Sequence, residues 1–147
     1  MGQSEGVAVQ ITFSSEINDQ GEKAHFSFAT TGLYYIKGRN SYLRFDEKLH
    51  NGESVKTTVR WSNHEAWIKR TGTVTMKLPF IVGETTKGMY ENVQGKMEMT
   101  ANTDKIQSSW NPRDKQGDFE LQYRLSMLGN KLGIYQIVIQ FKEENHS

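Results

Sequence analysis

The chain has 147 residues, with 18 basic and 17 acidic side chains and a formal net charge of +1. This balance predicts no electrostatic footprint for nucleic acid or for an anionic membrane. Cysteine is absent, which excludes disulfides and thiolate metal sites and suits a reducing cytosol.

The length predicts one domain, residues 1–147, with an ordered core over about 7–141 and short flexible ends. No basic segment followed by an apolar run opens the sequence, so we expect no signal peptide. Gly6 stands where a myristoylation motif starting at Gly2 requires Ser or Thr. No apolar run approaches the roughly 20 residues of a membrane helix. These features predict a soluble cytoplasmic protein.

The first part of the chain alternates apolar and polar residues, the period of a half-buried strand. The alternation covers 7–13 and is followed by a polar stretch, 14–22, which predicts a loop. A second strand over 24–30 directs its even residues inward. Gly32 interrupts the pattern, and 33–36 predicts a separate third strand.

The next two strands form a hairpin whose turn contains Asn51 and Gly52. A two-residue turn would put the apolar sets of the two strands on opposite faces. A three-residue loop, 50–52, with Gly52 left-handed restores agreement and pairs Phe45 with Thr57. This register directs Glu47 to the inward face.

In the stretch 65–80 the apolar residues occupy even positions, and Arg70 shares their parity. Two geometries preserve it: a three-residue hairpin loop over 71–73, or one strand bent at Gly72. Both place Arg70 on the face of Ile68 and Met76. Because an isolated buried charge costs several kcal/mol, the arginine is either paired inside or positioned at a barrel rim with its head in solvent.

The rest of the chain predicts a loop over 81–94, a strand over 97–101 and a weak strand over 105–109. A loop with Pro112 follows, over 111–117. A final hairpin then turns at 129–131. Its register pairs four apolar residues across the strands, namely Leu125 with Tyr135, Tyr123 with Ile137, Leu121 with Ile139 and Phe119 with Phe141.

Nine or ten short strands without a helical period indicate an all-β protein. Hairpin connections favour an up-and-down antiparallel barrel, with a sandwich as the alternative. We predict a single barrel of about 8–10 strands, since closure removes exposed edges and leaves room inside for side chains or a small ligand.

Several segments in order resemble the YwiB-type family of small bacterial proteins of unknown function, across about Val7 to Phe141. They are Tyr42–Glu47, Val55–Thr58, Arg70–Gly72, Phe80, Tyr90, Gly95 and Leu121–Leu125. The resemblance implies a calycin, lipocalin-like barrel and a bacterial cytoplasmic setting, and it implies no activity. The chain departs from true lipocalins because it has no Gly-x-Trp near its amino end, Trp61 being the first tryptophan.

Parity brings Glu47 and Arg70 to the lumen, where they could form a charge pair. In a functional interpretation, Arg70 binds an anionic ligand with bidentate geometry and Glu47 orients it. In a structural one, the two charges neutralise each other and fix the strand register. Tyr35, Tyr123 and Tyr135 are candidates for lumenal hydroxyls, although aromatic side chains also fill ordinary cores.

Met76 is a candidate for adaptable lining, together with Met97, Met99 and Met127, although methionines are also common gap fillers. The four histidines have no metal-ligand spacing, so we expect no metal and no other cofactor.

No nucleophile-base motif appears, which favours a non-catalytic protein. The first hypothesis is therefore a barrel that binds a small anionic or amphipathic ligand in its lumen, by analogy with the fold. The alternative is a packed barrel that acts as a protein-interaction or homodimeric module. The lumen volume distinguishes them, because a cavity of a few hundred Å³ supports binding.

Overall fold

The computed structural model describes residues 6–48 and 52–144, and every regular element in these ranges is a β-strand. The strands are β1 (Val7–Asp19), β2 (Glu22–Lys37), β3 (Asn40–Lys48), β4 (Ser54–Trp61), β5 (Glu65–Gly72), β6 (Thr75–Ile81), β7 (Thr85–Asn92), β8 (Gly95–Asn111), β9 (Gln116–Met127) and β10 (Asn130–Glu143). Within the same ranges, no helix is long and apolar enough to cross a membrane.

The strands form one closed antiparallel barrel in which each strand pairs with its neighbours in sequence. β1 also pairs with β10, from Val9 opposite Glu143 to Asn18 opposite Ile134, and this ladder closes the barrel. The predicted all-β antiparallel barrel is confirmed. The turns after β1, β3, β5, β7 and β9 lie at one end, which we call the cavity end. The connections after β2, β4, β6 and β8 lie at the other, which we call the plugged end.

β1 is longer than the sequence pattern indicates, and the predicted loop over 14–22 is wrong. The strand continues to Asp19, and Ser14 pairs with Val138 of β10 on one side and Ser27 of β2 on the other. This segment lies towards the cavity end, where the interior is not filled by apolar side chains. The alternation that marks a half-buried strand is therefore weak there.

Two glycines that suggested breaks lie inside strands instead. β2 runs without interruption through Gly32, so the separate strand over 33–36 is wrong. Gly88 lies in β7, which occupies much of the predicted loop over 81–94. A Cβ atom at Gly32 would lie 2.2 Å from the carbonyl oxygen of Arg44, and one at Gly88 would lie 2.3 Å from that of Lys77. Glycine permits these close backbone approaches, and neither residue marks a turn.

The two strands predicted over 97–101 and 105–109 are a single strand, β8, with a bulge. Thr103 is opposite Tyr123 and Lys105 is opposite Gln122, so Asp104 is the extra residue. A bulge changes which alternate residues face inward. The period of two therefore breaks at this point although the strand continues.

The β3–β4 register is confirmed, since Phe45 pairs with Thr57. Gly52 has a φ of 83°, the left-handed conformation that the bulged turn requires. His50 and Asn51, the other two residues of the predicted loop, lie outside the described residues.

The other two predicted turns are displaced. The 65–80 stretch is a hairpin, not a bent strand, but Arg70 pairs with Met76, so the turn centres on Thr73 and not on Gly72.

In the last hairpin the turn is formed by Leu128 and Gly129, both with positive φ, and a register shift follows before Gly133. Tyr135 therefore pairs with Tyr123 and not with Leu125. This register error is two residues, which preserves parity and hence the predicted inward faces.

The barrel interior has two unlike halves. At the plugged end, aromatic rings pack on one another: Tyr34 lies 4.8 Å from Phe141 and Trp61 lies 4.7 Å from Phe119, between ring centroids. Trp110 stacks on Tyr34 at 5.1 Å and covers this cluster, which we call the aromatic plug. The half towards the cavity end is not filled in this way and contains the candidate site.

Candidate functional site

A cavity of about 420 Å³ occupies the barrel interior towards the cavity end. Most of its wall is apolar, from Phe13, Phe26, Val59, Ile68, Met76, Met99, Leu125, Met127, Leu132 and Ile137. Phe26 is 56% exposed and stands where the cavity meets solvent.

The barrel wall has a lateral gap beside this cavity. β2 and β3 pair only from Gly32 opposite Phe45 to Lys37 opposite Asn40, so their segments nearer the cavity end are not joined by a ladder. A surface depression of about 630 Å³ lies over this gap, and Phe26 and Glu47 line both the depression and the cavity. The gap therefore leads from solvent towards the polar part of the interior.

Three adjacent strands each contribute one side chain to a polar chain on the cavity wall. Glu47 of β3 accepts a hydrogen bond from Thr57 of β4 (2.8 Å, Oγ1 to Oε1) and one from Arg70 of β5 (3.1 Å, Nη2 to Oε2). The side chains of Arg70 and Glu47 are 25% and 15% exposed. The predicted lumenal pair thus forms, and each carboxylate oxygen has a donor, which reduces the cost of burying the charge.

The Arg70 guanidinium retains free donor capacity. Its Nε is buried and has no hydrogen-bond partner within the described residues. Buried polar atoms are almost always bonded to protein or to an ordered molecule. Arg70 lines the cavity, but this Nε is shielded from solvent, so it is an unsatisfied donor within the wall and not itself a contact point for a molecule in the cavity.

Tyr123 and Tyr135 stack across β9 and β10 with their centroids 5.3 Å apart, and both line the cavity. Burial raises the pKa of the Tyr123 hydroxyl well above its ordinary value, and the nearby Tyr135 adds to this while Arg70 opposes it. The pKa of Tyr135 is also raised, chiefly by burial and secondly by Asp19. Both hydroxyls are therefore neutral donors at neutral pH.

Met76 lines the cavity as predicted, and so do Met99 and Met127. Met97 is not among the lining residues.

Tyr35 is not in the cavity, so its prediction as a lumenal residue is wrong. It stacks on Tyr42 outside the barrel, at 4.7 Å between ring centroids, while its neighbour Tyr34 is buried in the aromatic plug. The false break at Gly32 is the cause. In the unbroken strand the even-numbered residues from Phe28 through Gly32 to Tyr34 all face inward. With a break at Gly32, the inward direction of Tyr34 no longer follows from that of Phe28.

Sequence reasoning missed three polar residues of the cavity. Ser15 of β1 lines it and was hidden within the predicted loop over 14–22. Thr57 is 2% exposed and lies between the buried Val55 and Val59, so its inward parity was a usable signal. Tyr90 of β7 also lines the cavity and is the cross-strand partner of Met76 of β6. It was hidden because β7 was interpreted as a loop.

The titratable side chains on the cavity wall are Glu47, Arg70 and the tyrosines Tyr90, Tyr123 and Tyr135. The only cavity-lining carboxylate among the described residues, Glu47, is held by two donors, and no histidine lines the cavity. No group of three or more His, Cys, Asp or Glu side chains in the described ranges could hold a metal ion.

Comparison with known proteins places the chain among relatives of the same fold. A family described as "Domain of unknown function (DUF1934)" matches residues 11–139. The "Uncharacterized beta-barrel protein YwiB" of Bacillus subtilis (strain 168) is 28% identical over 139 residues, which are 95% of this chain and 96% of that protein. The crystal structure of the ywiB protein from Bacillus subtilis superposes with a TM-score of 0.84 at 26% identity, covering 98% of this chain and 96% of that one. The resemblance to the YwiB-type family is confirmed.

Proposed function

The chain belongs to the DUF1934 family, a domain of unknown function, and within that family we propose that it is a non-catalytic barrel that binds a small amphipathic molecule in its cavity. The observation that carries the proposal is the combination of a largely apolar cavity of about 420 Å³ with the Arg70 guanidinium and the hydroxyl-bearing side chains of Tyr123 and Tyr135 on its wall. Small-molecule sites have this volume range and this mixture of apolar wall and few polar groups.

The polar end of the ligand is an acceptor of hydrogen bonds. The lining side chains that can donate a hydrogen bond to it include Arg70, Tyr123 and Tyr135, and a guanidinium can only donate. An anionic group, such as a carboxylate, would also gain from the positive charge of Arg70. The apolar end contacts the methionine and aromatic wall, and the gap between β2 and β3 provides the entrance.

The alternative, a packed barrel that acts as an interaction module, depends on a filled lumen. Only the half at the plugged end is filled, so this observation favours the binding proposal. Because the chain lacks cysteine, we place the binding in a reducing cytoplasm.

Native mass spectrometry of the purified protein, compared with its denatured mass, is the first test. A retained small molecule supports the proposal, and its chemistry identifies the acceptor group. A ligand-free dimer would instead favour the interaction module.

The second test measures binding of the amphipathic dye 1-anilinonaphthalene-8-sulfonate to two kinds of variant. One substitution fills part of the cavity, and the other removes a hydroxyl group from its wall. Met76→Trp fills part of the cavity and should weaken dye binding by about tenfold or more. The matched control is Met89→Trp, because Met89 lies on the outer face of β7 and is 44% exposed. Equal dye binding by both variants would contradict the proposal.

Tyr123→Phe should weaken dye binding about fivefold, since it removes one hydrogen bond, and Tyr35→Phe should not weaken it.

A further inference from the structure

The outer surface of β3 to β6 collects positive charge that the net charge of the whole chain conceals. Residues on this surface alternate with the buried inward ones, and we call it the basic face. Its cations are Arg44, Lys48, Lys56, Arg60, Lys69 and Lys77. Among the described residues, its outward carboxylates are Asp46 and Glu65.

The cations of the basic face form no ion pair within the described residues, although Lys56 has a carboxylate, Asp46, directly opposite it across β3 and β4. Elsewhere on the barrel, some basic side chains pair with carboxylates, as Lys105 does with Glu120 at 2.8 Å. In the described ranges no carboxylate lies within ion-pair distance of a basic-face cation. Lys69 is directly opposite Lys77 across β5 and β6, and like charges in this position destabilise a sheet. An external anion would relieve this repulsion.

Aromatic rings lie among these charges. Tyr35, Tyr42, Arg60 and Trp67 are successive cross-strand neighbours from β2 to β5. The two tyrosines stack with an interplanar angle of 5°, whereas Trp67 stands at 75° to Tyr42. The Cζ of Arg60 is 5.3 Å and the Nζ of Lys77 is 5.9 Å from the centroid of the Trp67 ring. Trp67 is therefore a half-buried ring flanked by cations from both neighbouring strands.

Unpaired cations beside an aromatic ring on a sheet match the chemistry of a single-stranded nucleic acid. Its phosphates require positive charge and its unpaired bases stack on aromatic side chains. A duplex hides its base faces, and a membrane surface favours apolar side chains that protrude further than half-buried rings within a sheet. We propose that the basic face binds single-stranded nucleic acid, with phosphates drawing the Lys69 and Lys77 ammonium groups outward and a base taking the place of Lys77 on the Trp67 ring.

Fluorescence anisotropy tests this binding with labelled single strands of about twelve nucleotides, one of deoxythymidine and one of uridine. The two strands distinguish DNA from RNA. We expect measurable binding at about 50 mM salt and much weaker binding at about 200 mM, because phosphate contacts release counterions.

Charge and ring variants locate the site. Lys69→Gln with Lys77→Gln should weaken binding and reduce the slope of log affinity against log salt by about 1.4. The control is Lys131→Gln with Lys142→Gln, which removes the same charge from β10, on the opposite side of the barrel. Trp67→Ala should weaken binding about tenfold, and Trp67→Phe should restore most of it because a ring remains.

The following results would each overturn the proposal that the basic face binds single-stranded nucleic acid. Absence of binding to both strands at low salt does so directly, as does equal weakening by the β10 control. Binding to vesicles containing phosphatidylglycerol but not to the oligonucleotides would identify a membrane surface. Competition by polyglutamate as effective as that by the oligonucleotides, with no effect of Trp67→Ala, would indicate general attraction of anions. Loss of dye binding in the cavity is not expected in any of these variants, so the two proposals fail independently.

Discussion

Glu47, Thr57 and Arg70 act as one unit, because each hydrogen bond of the carboxylate depends on a side chain from a different strand. The opposite charges of Glu47 and Arg70 cancel, so the two charged side chains can line a largely apolar cavity. The unit also ties β3 to β5 through β4, close to the place where the wall opens between β2 and β3.

Breaking this pair should cost more than removing it. Glu47→Gln leaves the arginine charge without its partner, and we expect a loss of about 2–4 kcal/mol in the free energy of unfolding. The double variant Glu47→Leu with Arg70→Met should lose less, since no unpaired charge remains inside. Urea unfolding measures both. A larger loss in the double variant than in Glu47→Gln would contradict this expectation.

Arg70→Met also separates structure from binding. If stability changes while dye and ligand affinity do not, the arginine has only the structural role.

The buried tyrosines make stability sensitive to alkaline pH. The pKa of Tyr123 is raised above its ordinary value of 10.0, so the unfolded chain loses this proton at lower pH than the folded one. The stabilisation is complete below pH 10.0 and declines as the pH rises from there towards the folded-state pKa, by up to about 1.4 kcal/mol per pH unit. Urea unfolding at pH about 8 and about 11 should show this decline, and Tyr123→Phe should reduce it. An identical decline in the variant would contradict the assignment.

At the scale of the strand, a position requires glycine for one of two separate reasons. Either two backbones approach too closely for a Cβ atom, or a turn needs a positive φ. Gly32→Ala would put a Cβ atom against the Arg44 carbonyl oxygen and the Ile11 side chain. We expect a loss of about 2–4 kcal/mol, because backbone cannot move aside as a flexible side chain can.

Gly21→Ala is the control for this substitution. Gly21 has a φ of 90° and open space around it, so alanine there meets only the left-handed penalty of about 1–2 kcal/mol. Thermal unfolding should rank the two variants in this order, and the reverse order would show that the β2–β3 approach is easily relaxed.

The sequence predicts the inward faces of the strands well and their connections poorly. Parity brings Glu47 and Arg70 together because period-two alternation survives any register error of two residues, as in the β9–β10 hairpin. For the same reason, the alternation cannot distinguish the correct strand register from one that is shifted by two residues. A glycine needed for contact looks like a glycine needed for a turn, and the misinterpretation of Gly32 placed Tyr35 in the lumen. The Asp104 bulge similarly divided one strand into two.

At the scale of the whole molecule, the aromatic plug and the cavity divide the barrel into a packed half and an open half. Phe119 is fully buried in the plug, whereas Phe26 is 56% exposed beside the cavity. Phe119→Ala should therefore cost about 3–5 kcal/mol, and Phe26→Ala less than about 1 kcal/mol. Urea unfolding compares them directly, and similar losses would mean that the open half contributes equally to stability.

This division has a consequence for how such a barrel can diverge. Substitutions in the open half alter what the cavity accepts while the plug continues to keep the chain folded, so selection can act on ligand preference and on folding almost separately. Descendants of one ancestor could then retain the plug and exchange the lining. Among relatives, variation should concentrate on the side chains that surround the cavity, and a laboratory library restricted to those positions should yield a large fraction of folded variants with new binding preferences.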